Sequence, residues 1–266
     1  VSDKVKAIKA LGQNFLHNKA ITARIAESVP AECNVLEIGP GTGALTAPLI
    51  ERCKRVVCVE IDERMYPVLE EQFSQSGKFA LVKGDIMALD LGAIISKHFG
   101  GEDFYVCANL PYYITTPIIS MLLESKIPTL KAASVMVQKE AAARLCAQTG
   151  TRECGAITYM VRYFSEPQKL FDVSRGNFTP APNVDSSVVR FLVRPLDEML
   201  SEEAERKLFA LVKAAFSQRR KTFVNSAGST FDKAAISAAL ERLGVSAGVR
   251  AEKLTLEDFI GISREI

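Results

Sequence analysis

The chain has two histidines, His17 and His98, no tryptophan, and no C-x-x-C pair among its six cysteines. A His-based metal centre or a His-dependent triad is hard to build from so few imidazoles, so the expected chemistry is metal-free. Cys33, Cys53, Cys58, Cys107, Cys146 and Cys154 are scattered, some of them in or beside apolar strand-like runs. That pattern reads as core thiols in a reducing compartment, against a disulfide framework. Long hydrophobic runs are also missing. Nothing approaches the ~18 apolar residues of a membrane span, and around Lys4, Lys6 and Lys9 there are only short apolar pieces, without a signal-peptide core. A soluble, intracellular protein with no membrane association is expected. A net charge of +2 does not announce a nucleic-acid binder, so any such function must rest on local basic patches. What is present is apolar material: 266 residues at 48% hydrophobic content, with mean hydropathy +0.10, can bury a substantial core.

From 34 to about 194, short β-branched runs alternate with longer helical patterns, the signature of a parallel sheet covered by helices on both faces. Strands are expected at 35–38, 56–61, 79–83, 105–108, 134–138 and 188–193, with another near 169–173. This gives a seven-stranded, mostly parallel sheet in an α/β fold. The Pro-containing stretch Phe178-Thr179-Pro180-Ala181-Pro182 separates the last segments and favours an antiparallel hairpin there. After Pro195, Leu208, Leu211, Val212, Ala215 and Phe216 recur at helical spacing, as do Ile236, Leu240 and Leu243. The expected organisation is a domain over 1–196 followed by a small helical domain over 197–266.

Glu37-Ile38-Gly39-Pro40-Gly41-Thr42-Gly43 follows the first of these strands. Glycines at such a turn let a ligand touch the backbone. A glycine-rich turn alone is shared with dinucleotide-binding enzymes. Here, however, the spacing is G-x-G-x-G, and Glu37 would repel a diphosphate while welcoming a ligand that carries an ammonium and a sulfonium. S-adenosylmethionine is such a ligand. Glu60, ending the second strand, can grip both ribose hydroxyls, and Asp85, after the third, can accept from an adenine amine.

Asn109-Leu110-Pro111-Tyr112 ends the apolar run at 104–108. An aromatic amine is a poor nucleophile because its lone pair is delocalised, and two acceptors aimed at its N–H groups turn the nitrogen towards tetrahedral geometry. Asn109 offers a side-chain carbonyl and Leu110 a main-chain one. Pro111 keeps Leu110 extended and removes a competing donor. Tyr112 supplies a flat face on which an extruded base can stack, worth about 1–3 kcal/mol per base.

Together with Gly12-Gln13-Asn14-Phe15-Leu16, Glu60-Ile61-Asp62, Gly84-Asp85-Ile86, Phe178 through Ser186, and Ala215-Phe216-Ser217-Gln218-Arg219-Arg220-Lys221-Thr222, these motifs resemble the ribosomal RNA adenine N6-dimethyltransferases over nearly the whole chain. The resemblance implies a Rossmann-like S-adenosylmethionine-dependent methyltransferase fold with a small C-terminal helical domain. It also implies dimethylation of two adjacent adenosines in the 3′-terminal hairpin of small-subunit (16S) ribosomal RNA, in the pre-30S particle. A cytoplasmic location is expected because no Arg- and Ser-rich transit segment precedes Gly12, and a monomer is expected. Leu110 and Arg219-Arg220-Lys221 favour the small-subunit branch over the macrolide-resistance enzymes that act on large-subunit RNA. By the same resemblance Asn14 and Leu16 close over the methionine end of the cofactor, Gly39 and Gly41 line it, Glu60 binds ribose, Asp85 binds adenine, and Asn109 sits between cofactor and target. Tyr112 and Phe178 would sandwich the base, and Arg219, Arg220 and Lys221 would hold phosphates. Ala108 and Tyr113 depart from the usual Gly and Asn, and a methyl group at Ala108 is expected to narrow the crevice. The competing readings are a non-catalytic ribosome-assembly factor and a DNA adenine methyltransferase.

Overall fold

A computed structural model describes residues 7–8, 12–218 and 220–266. Lys4, Lys6, Lys9 and Arg219 lie outside the described residues. The strands are β1 (Phe15–Leu16), β2 (Asn34–Ile38), β3 (Arg55–Glu60), β4 (Phe79–Lys83), β5 (Phe104–Asn109), β6 (Leu130–Gln138), β7 (Ser165–Val173), β8 (Phe178–Thr179) and β9 (Ser186–Val193). The helices are α1 (Lys19–Ala26), α2 (Thr46–Arg52), α3 (Tyr66–Phe73), α4 (Leu91–Phe99), α5 (Thr115–Glu124), α6 (Lys139–Leu145), α7 (Ala156–Phe164), α8 (Glu202–Phe216), α9 (Phe223–Ala227), α10 (Lys233–Arg242) and α11 (Leu256–Glu265).

The chain divides into two compact units. The first runs to Ala142 and takes in Pro167–Val193. Its centre is a seven-stranded sheet in the order β4-β3-β2-β5-β6-β9-β7, in keeping with the expected count. β4, β3, β2, β5 and β6 pair in parallel, and β9 pairs antiparallel to β6. Parallel strands covered on both faces need continuous apolar runs, and β2 is buried at every position. Val35, Leu36, Val56, Val57, Val106 and Cys107 are all at 0% exposure, each large aliphatic side chain contributing roughly 1.5–3 kcal/mol by leaving water. Cys53, Cys58 and Cys107 lie in this core, where the sequence reading placed core thiols.

The strand order reverses between β2 and β5, because β3 and β4 extend the sheet one way and β5 and β6 the other. At such a switch point the loops leaving the carboxyl ends of adjacent strands part and open a crevice. A second sheet, not foreseen from sequence, pairs β1 with β8 antiparallel, setting Leu16 opposite Phe178 and Phe15 opposite Thr179. This brings residues 12–16 to a fixed place in the first unit.

The second unit comprises Ala143–Glu166 and Arg194–Ile266. Residues 143–166, which sit inside the 1–196 range read from sequence, group with the C-terminal helices for a physical reason. Tyr159, Tyr163 and Phe164 of α7 are buried and meet aromatic partners there. Tyr159 lies 4.8 Å from Phe259 and 5.3 Å from Phe216, and Phe164 stacks 5.5 Å from Phe209. The Tyr159 hydroxyl donates to the carbonyls of Ala251 and Leu254, so the ring is buried without an orphaned polar atom. α11 starts on a reciprocal cap in which Asp258 N donates to Thr255 Oγ1 (3.1 Å) and Thr255 N donates to Asp258 Oδ2 (2.7 Å). Among the described residues no helix is long and apolar enough to cross a membrane.

Candidate functional site

A cavity of about 1150 Å³, part of it open to solvent, lies at the carboxyl ends of β2, β3, β4 and β5. Asn14, Leu16, Glu37, Gly39, Gly41, Glu60, Asp85, Asn109, Leu110, Pro111 and Tyr112 all line it. Residues far apart in sequence converge there because each lies at or just beyond the carboxyl end of a strand, or on or beside β1, at the switch point.

The three acids differ in environment. Glu60 is 4% exposed, and its two oxygens accept separate backbone N–H groups, Gly41 N to Oε2 at 2.9 Å and Asp62 N to Oε1 at 2.8 Å. Burial raises its pKa against the lowering effect of those hydrogen bonds. The pair of bonds orients the carboxylate and leaves each oxygen a lone pair for an incoming hydroxyl. Glu37 is 1% exposed and accepts from Thr46 Oγ1 at 2.7 Å and Cys58 Sγ at 3.3 Å, both on Oε2. Desolvation pushes it up to about 7, the two hydrogen bonds opposing and the nearby Glu60 charge adding to the rise. At Asp85, Oδ1 accepts from Met87 N at 2.9 Å, which fixes the loop after β4.

Two buried carboxyl groups in one cavity are a poor lining for a diphosphate and a good one for a ligand with positive charge and hydroxyl donors. Gly39 supports the same fit. Its φ of +68° is a left-handed conformation, and a Cβ built there would meet nothing within 4 Å, so its backbone faces open space. The donor set therefore suits S-adenosylmethionine.

At the other side of the cavity stands Asn109. Its Nδ2 donates to the carbonyl of Asn14 at 3.4 Å, which leaves Oδ1 as the acceptor for a substrate amine. Leu110 buries its side chain at 1% exposure, so what it can offer a ligand is backbone. The turn that follows closes on the carbonyl of Pro111, which accepts from Ile114 N at 3.2 Å and Thr115 Oγ1 at 3.1 Å. Tyr112 is tethered by a 2.8 Å bond between its hydroxyl and Ser186 Oγ, and burial pushes its phenol up.

Phe178 is not among the lining residues. It is 3% exposed within the core cluster that includes Leu16, Ile25 and Val188, held there by pairing with β1. Tyr112 is thus the face the cavity presents from the expected aromatic pair, and Phe178 packs in the core on the strand beside the one that carries Leu16. Ala108 is fully buried within β5 and does not line the cavity, so its methyl group does not narrow the crevice as expected from sequence. Tyr113 does line it and is 61% exposed. Its ring lies 3.0 Å from where a Cβ at Gly12 would stand, and Gly12 has φ +60°, so no larger residue fits there without strain.

Sequence reasoning missed how residues 12–16 are tied down. Gln13 Nε2 donates to Asp62 Oδ2 at 2.7 Å, and Gln13 Oε1 accepts from Ile8 N at 2.8 Å and Arg64 Nη2 at 3.3 Å. Arg64 also donates to the Asp62 carboxylate through Nε at 2.9 Å and Nη2 at 2.6 Å. The Arg64 bonds, then Gln13, hold Asp62 below the usual carboxylate range. The available signal was Asp62 following Glu60 by two residues. Nothing in the local pattern names a partner 49 residues away.

Arg220 and Lys221 are exposed in the second unit, in the turn after α8, where Lys221 N donates to Gln218 O at 2.9 Å.

Known proteins match this arrangement along the chain. The family model for ribosomal RNA adenine dimethylase matches residues 4–266. A Bacillus cereus protein named ribosomal RNA small subunit methyltransferase A is 39% identical, covering 97% of this chain and 90% of its own length, and a Bacillus anthracis protein of the same name matches equally. Among solved structures, a dimethyladenosine transferase from Plasmodium falciparum aligns with TM-score 0.76 at 27% identity, over 93% of this chain and 95% of its own. The 23S rRNA methyltransferase ErmE aligns with TM-score 0.72 at 28% identity, over 95% and 99%.

Proposed function

The chain belongs to the ribosomal RNA adenine dimethylase family, and from that premise we propose that it transfers methyl groups from S-adenosylmethionine to the N6 amines of two adjacent adenosines in the 3′-terminal hairpin of small-subunit ribosomal RNA. The product is N6,N6-dimethyladenosine, made in the cytoplasm by a monomer acting on the pre-30S particle during small-subunit biogenesis. The observation that carries the reading is Asn109, whose amide nitrogen is held by the Asn14 carbonyl in the same cavity as Glu60 and Asp85, so that its oxygen is left to accept from an amine.

S-adenosylmethionine supplies a methyl group already activated by a sulfonium, and the protein's task is to place the nucleophile. Glu60 would receive the ribose hydroxyls on a carboxylate pre-oriented by Gly41 and Asp62. Asp85 would accept from the cofactor's adenine amine. Glu37 offers a carboxyl that a nearby positive charge would ionise. Asn109 Oδ1 and the Leu110 carbonyl accept from the target N6 amine and localise its lone pair, while Tyr112 stacks on the extruded base. Holding amine and methyl in line contributes several kcal/mol through freedom already lost on binding. The proton leaves after transfer, when the nitrogen has become acidic, so no dedicated base is required. Arg219, Arg220 and Lys221 grip phosphates by charge.

Incubation with labelled S-adenosylmethionine and under-methylated small subunits, naked ribosomal RNA, large subunits or DNA tests this function. Label is expected in the small-subunit RNA, as dimethyladenosine. Label in large subunits or DNA alone, or in none of them, overturns the assignment.

A further inference from the structure

The bond that orients Asn109 is long, 3.4 Å, and weak on its own. An Asn side chain presents either its oxygen or its NH2 to a neighbour, and the wrong choice would aim donors at the N–H groups of the substrate amine. What selects the oxygen is therefore the position of the Asn14 carbonyl, 95 residues away in sequence. Asn14 itself is braced by its Nδ2, which donates to the Gly12 carbonyl at 3.1 Å, but that bond is internal to the segment and does not tie it to the sheet. The tie is Gln13. Its amide reaches the Asp62 carboxylate at 2.7 Å, the shorter of the two long-range bonds, and Asp62 is itself fixed by Arg64. Asp62 N also donates to Glu60 Oε1, so the three residues 60–62 carry both the cavity's ribose-facing carboxylate and the anchor of Gln13.

We propose that Gln13 and Asp62 are positioning residues for methyl transfer: the Asp62 carboxylate holds Gln13, Gln13 sets the Asn14 carbonyl, and that carbonyl turns the Asn109 amide so that oxygen faces the target. This deepens the proposed function and rests on it. The pair acts through the Asn109 amide, and Asp62 bonds to Glu60 by its backbone N–H, so loss of the pair falls more heavily on kcat than on cofactor affinity.

The test compares wild type, Gln13→Ala, Gln13→Glu, Asp62→Asn and the double variant Gln13→Glu/Asp62→Asn on under-methylated small subunits, with thermal melts showing that each is folded. Gln13→Ala is expected to lower kcat about tenfold, the effect of losing one charge-assisted bond, with the Kd for S-adenosylmethionine changed less than about threefold. Gln13→Glu sets two carboxylates against each other and loses more. Asp62→Asn keeps an acceptor for Gln13 and loses less than Gln13→Ala. The double variant restores one hydrogen bond with donor and acceptor exchanged, and recovers kcat above Gln13→Glu. A readout without turnover is amide hydrogen exchange of residues 14–16 in the ligand-free protein, expected to accelerate in Gln13→Ala and to slow again in the double variant relative to Gln13→Glu. Absence of transfer by wild type would count against the underlying function. With wild type active, an unchanged kcat in Gln13→Ala, a loss confined to cofactor Kd, or no recovery in the double variant would overturn the positioning role alone.

Discussion

Glu37 carries a pH dependence that a single substitution isolates. Its carboxyl is fully buried, and desolvation raises it from 4.5 to about 7. In the interval between those values the folded protein keeps a proton that the unfolded chain has released. Unfolding then releases protons, and stability falls as pH rises. The contribution is fully present below about pH 4.5 and is lost as pH passes through about 7. At 1.36 kcal/mol per pH unit, the difference amounts to about 3 kcal/mol. Glu37→Gln retains the size and an acceptor oxygen for Thr46 but cannot ionise. Urea unfolding of both proteins from pH 5 to 8.5 is expected to show the variant gaining on wild type by up to ~3 kcal/mol across the interval. Titrating groups that do not interact with Glu37 are common to both and cancel in the difference, whereas Glu60, whose charge raises Glu37, contributes to it through that interaction. A wild-type-minus-variant difference that stays constant across this range would refute the argument that Glu37 is desolvated in the folded state.

Three further outcomes follow from the site. Asn109→Ala is expected to abolish methyl transfer while the Kd for S-adenosylmethionine, measured by calorimetry, changes less than about threefold; turnover at the wild-type rate would remove Asn109 from the mechanism. Phe178→Ala empties a core position at 3% exposure and should cost about 3–5 kcal/mol in denaturant unfolding, whereas a cost below 1 kcal/mol would show that the ring is not packed as described. Neutralising Arg219, Arg220 and Lys221 together should weaken binding to small-subunit RNA and reduce the slope of log K against log salt by about one per residue. An unaltered slope would leave this cluster without a role in gripping phosphate.

The central sheet was legible because its strands are short β-branched runs bounded by turns, and a strand buried on both faces has little freedom to be anything else. Glu37, Glu60, Asp85 and Asn109 were legible for a related reason, since each is polar at the end of such a run. Three features were not. The pairing of β1 with β8 involves two residues on each side, too few to leave a period. The bond between Gln13 and Asp62 joins two residues whose own neighbourhoods are unremarkable. The placement of α7 in the second unit is set by which aromatics meet it, Phe209, Phe216 and Phe259, and helical spacing alone does not reveal the partner. Phe178 shows the limit from the other side: a motif can name a residue without telling whether its ring faces a ligand or the core.

The return of residues 143–166 to the C-terminal helices has a bearing on how the protein can be cut. The polypeptide leaves the first unit after Ala142, comes back at Pro167 and leaves again after Val193, so the helical unit is sewn in at more than one seam. Ending the chain near residue 196 would not release a clean catalytic fragment. It would strip α8 and α11 from α7 and leave Tyr159, Tyr163 and Phe164 bare to solvent, a greasy scar that invites aggregation. A chimaera that takes this helical unit from a relative would have to transplant both pieces together.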